Sequence, residues 1–131
     1  MDRKKLLKRI SFLVFSIFLV NLMAMQFHWY SSMWYFDIIM HFMGGFWVGL
    51  FAFWLFKLEN VSRSSIAKVI IFVLSVGLLW EVFEIVVNEL TAENPLDVVD
   101  IISDLIFDTA GGLVSVYYFS KRILMTKNAV I

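Results

Sequence analysis

Asp37 and His41, Glu81 and Glu84, and Asp100, Asp104 and Asp108 lie inside stretches that are otherwise apolar, and Asp97 stands at the mouth of the last one. An ionised carboxylate at bilayer depth costs roughly 2.5–3.5 kcal/mol on insertion scales. A chain with this many must group them around each other, around protons or around metal ions. No Lys or Arg falls inside these stretches, so ion pairing is excluded as the neutralising device. Protons shared between coupled carboxyls are one answer. A divalent cation is the other: one imidazole among many carboxylates suits Mg²⁺, Mn²⁺ or Ca²⁺ and tolerates Zn²⁺ or Fe²⁺. On the metal reading Asp37, His41, Glu81, Glu84, Asp100, Asp104 and Asp108 are ligands, and His41 or Glu84 is a general base. The signal is sharpest at Asp100, Asp104 and Asp108, which repel one another at i,i+4 unless something bridges them.

The elements that position these groups are membrane helices. The chain has 131 residues, of which 61% are hydrophobic and 18% aromatic, with a single Pro; its mean hydropathy is +0.84. A soluble domain of this size does not need so much apolar surface, whereas a small helical membrane bundle does. Cysteine is absent, which excludes disulfides and thiolate metal sites. Four stretches approach the ~20 residues that span the hydrocarbon core: 10–30, 35–56, 69–90 and 98–119. The connections are short, so residues 1–131 read as a single all-α, four-transmembrane-helix bundle.

Charge gives the orientation. The eleven Lys and Arg residues fall at Arg3, Lys4, Lys5, Lys8 and Arg9, at Lys57, Arg63 and Lys68, and at Lys121, Arg122 and Lys127. All lie on one side of the four-span arrangement, which by the positive-inside rule places both termini in the cytoplasm of a multi-pass cell-membrane protein. The basic start and apolar run of Met1–Gln26 read as a retained anchor rather than a signal peptide, for want of a small-x-small cleavage site. Ser31/Ser32, Ser64/Ser65 and Asn94-Pro95 are expected helix starts. Trp29, Tyr30, Trp34 and Tyr35 form an expected outer aromatic belt, with Trp54, Tyr117 and Tyr118 at the inner one.

In this topology the acids converge. At 1.5 Å per residue, Asp37 and His41 lie ~3 and ~9 Å below the outer surface, and Asp100 to Asp108 descend from ~3 to ~15 Å. Glu81 and Glu84 occupy the same outer half, so the site opens to the outer face. Each set keeps to one helical face, with Gly77 beyond the glutamates, Gly44 and Gly45 beyond His41, and Gly111 beyond Asp108. Small residues there allow close helix approach. The polar groups expected in the inner half are Asn21, Ser75 and Ser115. Asp37-x3-His41-x2-Gly44-Gly45 is echoed by Asp104-x3-Asp108-x2-Gly111-Gly112, as a parallel two-helix repeat would produce.

Each feature has a plainer reading. Asp37 alone suits a helix N-terminus, a lone interior His is more often hydrogen-bonded than ligating, and the glycine pairs serve packing. Glu89, Glu93 and Asp97 read as solvated, and His28 as interfacial.

The Asp37-x3-His41-Phe42-x-Gly44-Gly45 run, Trp80-Glu81-x2-Glu84 and the Asp100, Asp104, Asp108, Gly111 ladder resemble the YjdF-like and VanZ-like families of small bacterial membrane proteins. The likeness to the YjdF-like group is the closer, since it has the second Glu and the aspartate ladder. VanZ-like sequences more often carry Lys and Gln where Ile38 and Glu84 stand here. The resemblance implies a membrane unit of four or more helices, and for VanZ a link to glycopeptide resistance.

Three functions stay open. The first is a metal-dependent hydrolase or transferase, or a binding protein, for a lipid-linked phosphate or other envelope precursor at the outer leaflet. The second is a proton or divalent-cation pathway. The third is a non-catalytic envelope or antibiotic-tolerance accessory protein. Membrane lipids are expected partners and a homo-oligomer is compatible with any of these readings. No nucleic acid is expected, because the basic N-terminus reads as a topology signal and a contact with anionic lipid.

Overall fold

In the computed structural model, which describes residues 2–91 and 96–124, the chain is helical, with no strand among those residues. The helices are α1 (Arg3–Gln26), α2 (Trp29–Ser32), α3 (Phe36–Leu55), α4 (Arg63–Thr91) and α5 (Val98–Tyr118). A π-helical turn, Phe119–Leu124, continues α5.

Local chemistry sets these bounds, and several differ from the apolar stretches. α1 begins at Arg3 rather than near residue 10, because Asp2 Oδ1 accepts the Lys4 and Lys5 amides at 3.1 and 3.2 Å. Lys and Arg are good helix formers, so the basic tail simply extends the helix. α1 then stops at Gln26. His28 adopts the left-handed conformation (φ 56°) that turns the chain into α2. Ser31 and Ser32 belong to α2 and cap nothing downstream; α3 starts behind Tyr35 without a side-chain cap. α4 starts at Arg63, earlier than 69. Its cap is Ser62, whose Oγ accepts the Ser65 amide at 3.1 Å, rather than Ser64 or Ser65. Asn94-Pro95 lies outside the described residues, and α5 is capped by Asp97, whose Oδ1 accepts from Val99 and Asp100.

The C-terminus of α3 shows how tightly a bound can be fixed. The Leu58 amide donates to Phe53 O (3.0 Å) and the Lys57 amide to Trp54 O (3.4 Å), with Lys57 left-handed at φ 53°. This is a Schellman motif built without the usual glycine.

Packing centres on α3. It runs parallel to α5, and α4 lies antiparallel against both. The α3–α5 seam is made by glycines: a Cβ on Gly45 would strike the Asp108 carbonyl, one on Gly49 the Ser115 hydroxyl, and one on Gly111 the Phe42 carbonyl. Gly44 takes no part, having nothing within 4 Å of its Cβ position. At the far end Phe53 and Phe119 stack at 3.9 Å, both fully buried. α1 docks on α3 through Leu6 and Ile10, with Trp47 Nε1 donating to Ile10 O at 3.0 Å. Basic residues gather at this end, where Arg9 donates to the Tyr118 hydroxyl and Arg3 lies over the Trp54 ring.

α1, α3 and Arg63–Leu90 of α4 are each long and apolar enough to cross a membrane. α5 has the length, but Asp100, Asp104 and Asp108 keep it out of that set. Much of the apolar surface is unburied, including Phe12, Phe15, Phe18, Leu79, Val82, Phe83 and Leu90. So much apolar exposure marks a surface that meets lipid or protein rather than water.

Candidate functional site

The acids meet at the end of the bundle opposite the basic residues. The N-termini of the parallel helices α3 and α5 both face this end, and each brings an acid in its first turn, Asp37 and Asp100. The positive ends of both helix dipoles favour negative charge there. α4 reaches the same level from the opposite direction with Glu81 and Glu84.

His41 is the hub. It is 7% exposed, and its Nδ1 lies 3.2 Å from Asp108 Oδ1. Its Nε2 lies 3.5 Å from Asp104 Oδ2 and 3.7 Å from Asp37 Oδ1. An ionised carboxylate only accepts, so an ionised Asp108 takes its hydrogen bond from Nδ1, while Nε2 faces Asp37 and Asp104. A histidine held through one nitrogen with the other free for an ion is the usual arrangement of a metal-ligating imidazole.

The carboxylates form two sets. His41, Glu81, Glu84 and Asp104 offer ligand atoms all within 4.8 Å of one another, and Asp37, Asp100 and Asp104 do the same. Donors on one ion, each ~2.0–2.6 Å from it, lie no more than about 5 Å apart. Both sets therefore have the dimensions of a cation site. Glu81 adds an independent sign: it is 4% exposed, yet its Oε1 has no hydrogen-bond partner among the described residues. A buried carboxylate oxygen without a donor is costly unless a proton or a cation meets it. Glu84, half-buried, accepts from Trp80 Nε1 at 2.9 Å.

All seven sequence-predicted site residues thus come together, with a division of position. Asp37, His41, Glu81, Glu84, Asp100 and Asp104 face one another. Asp108 stands on the other side of the imidazole, where its Oδ2 lies 2.6 Å from the position a Gly77 Cβ would take. Gly77 is therefore part of the site, admitting the Asp108 carboxylate against α4. A cleft of about 450 Å³ between α4 and α5 leads to the cluster, lined by Glu81, Glu84, Asn88, Glu89, Asp97 and Asp100. Asn88 continues the stripe of Gly77, Glu81 and Glu84 along α4, and Glu89, which the sequence reads as solvated, lines the cleft beside it. Asn21 lies toward the acid end rather than among the inner polar groups, because α1 ends at Gln26; its Oδ1 accepts from Tyr30 at 2.6 Å.

A family model described as a predicted membrane protein, DUF2238, matches residues 1–124. The chain belongs to this family. The match takes in every helix and every residue of the acidic cluster, and it places the protein in a membrane. Curated proteins and solved structures give no match.

Proposed function

We propose that this DUF2238 member is a four-span protein of the cell membrane, with both termini cytoplasmic. Its acid and histidine cluster binds divalent metal in the outer half of the bilayer. The observation that carries this reading is the convergence of His41, Glu81, Glu84 and Asp104, buried Glu81 Oε1 included, with no Lys or Arg among them. α5 crosses as the fourth span with its aspartates turned to α3 and α4: Asp104 and Asp108 are buried while Ile102, Ile106 and Leu113 are exposed. The segregation of basic residues to the opposite end supports the orientation.

A metal held there, beneath a cleft open at the side of the bundle, suits chemistry on a lipid-linked phosphate or other envelope precursor. The ion would polarise the phosphate or activate water. His41, Glu81, Glu84 and Asp104 would hold it, and Asp108 would orient His41. The cleft carries no cationic side chain among its lining residues, so an anionic group would be recognised through the metal. The likeness of the His41 and Glu81 motifs to the YjdF-like and VanZ-like families fits an envelope role.

A proton or cation pathway is the second reading, favoured by the three carboxylates around one imidazole. Against it, the seam beyond His41 is closed by Gly45, Gly49, Gly111 and the Phe53–Phe119 stack, and Ser75 and Ser115 spend their hydroxyls on backbone carbonyls. Metal content of the purified chain, with and without chelator, separates the metal site from a proton pathway, and divalent-cation flux in liposomes separates it from a cation pathway.

A further inference from the structure

We infer that the centre is built for two divalent ions bridged by Asp104. The inference rests on the metal reading above and deepens it. Asp104 is the one residue common to both ligand sets, the first with His41, Glu81 and Glu84, the second with Asp37 and Asp100. It is 2% exposed and sits on α5 between the other two helices, and a carboxylate has two oxygens to divide between two ions. Carboxylates that neighbouring ions share hold them ~3.5–4 Å apart, the separation at which one phosphate group is clamped from both sides.

Charge favours two ions over one. Asp37, Glu81, Glu84, Asp100, Asp104 and Asp108 surround a single imidazole. One divalent ion balances two of these six carboxylates and leaves four at bilayer depth. Two ions balance four and leave two, one of them Asp108, which is bonded to His41. Glu81, whose Oε1 is unpartnered, belongs to the first set, so a cation or a proton is called for there independently of the count of acids.

The two positions differ. His41, Glu81 and Asp104 are buried with Glu84 half-buried, whereas the second set combines buried Asp104 with half-buried Asp37 and exposed Asp100. The second ion is therefore the more exchangeable, and both positions border the cleft, the first through Glu81 and Glu84 and the second through Asp100.

The test is reconstitution of the chelator-stripped, detergent-purified full chain with Mn²⁺, read by plasma mass spectrometry and electron paramagnetic resonance. The wild type should take about two Mn²⁺ that are spin-coupled, as in bridged two-metal sites. Asp100→Asn should retain about one, uncoupled, with the loss appearing as weaker binding of the second ion only. Asp100 is exposed in the first turn of α5, so this variant keeps the fold, as circular dichroism would verify. One Mn²⁺ in the wild type, unchanged in Asp100→Asn, would overturn the pair and leave the single-ion reading standing. Two uncoupled ions would overturn the Asp104 bridge. No bound Mn²⁺ at all would overturn both this inference and the metal reading beneath it.

Discussion

His41 Nδ1 lies 3.2 Å from Asp108 Oδ1, and the two residues are 67 positions apart. That interval is the one separating Asp37 from Asp104 and Gly44-Gly45 from Gly111-Gly112. The bond therefore joins equivalent places in the two halves of the echoed pattern, across the seam between parallel α3 and α5. Two identical residues here would set acid against acid or imidazole against imidazole. With His on one helix and Asp on the other, the contact becomes a charge-assisted hydrogen bond that fixes the ring.

Asp108→Asn should weaken metal binding by about 10- to 100-fold, the range typical when a partner behind a metal-bound histidine is lost. The amide occupies the same space beside Gly77, so helix content should not change. Chelator competition gives the affinity, and circular dichroism gives the helix content.

Glu81→Gln should show a crossover in thermal stability. Without metal the wild type carries a buried carboxylate whose Oε1 has no partner, so the neutral variant should melt at the same temperature or higher. With metal at 100 times its dissociation constant the wild type should gain about 2.7 kcal/mol by linkage, and the variant much less. Differential scanning fluorimetry in detergent, with and without chelator, reads both arms. Equal shifts in the two proteins would count against Glu81 as a ligand.

Gly45→Val and Gly111→Val should each destabilise the bundle by roughly 1–3 kcal/mol or more, because the added side chain meets backbone carbonyls of Asp108 and Phe42 that cannot move alone. Gly44→Ala, one residue away, should be neutral or stabilising by up to ~1 kcal/mol, since its Cβ position is open. Denaturant titration in mixed micelles ranks the three. A Gly44→Ala as damaging as Gly45→Val would mean that the seam is misplaced.

Topology can be read without removing any native cysteine, because the chain has none. Ser31→Cys, on α2, should react with an impermeant maleimide on intact cells, or on spheroplasts where an outer barrier intervenes. Glu59→Cys, exposed between α3 and α4, should react only after permeabilisation. The reverse pattern would put the acidic cluster at the cytoplasmic face.

Much of this was legible in the sequence, for identifiable reasons. Spacing at i,i+4 put Asp37 with His41 and Asp100 with Asp104 on one face of each helix, and the level of Glu81 and Glu84 followed from alternating helix direction. Bounds were less legible. Apolar runs mark only the part of a helix that needs lipid, so the Arg3–Arg9 and Arg63–Lys68 turns read as loop although Asp2 and Ser62 cap them into α1 and α4. The sequence Ser62-Arg63-Ser64-Ser65 offers three caps, and only backbone geometry selects Ser62. Adjacent glycines project about 100° apart on a helix, so which of Gly44 and Gly45 meets α5 depends on a rotation that composition does not set. For the same reason the pattern grouped Asp108 with the other acids, while its side chain lies behind the imidazole.

The most direct test is the metal content of the detergent-purified chain by plasma mass spectrometry, before and after chelator, beside the Asp104→Asn variant. The account predicts ~1–2 equivalents of a divalent metal in the wild type, removed by chelator and lost in the variant, whose substitution touches both ligand sets. Absence of metal at near-neutral pH, even after Mg²⁺, Mn²⁺, Ca²⁺ and Zn²⁺ are added back, would contradict it and leave protons as the neutralising partner of the cluster.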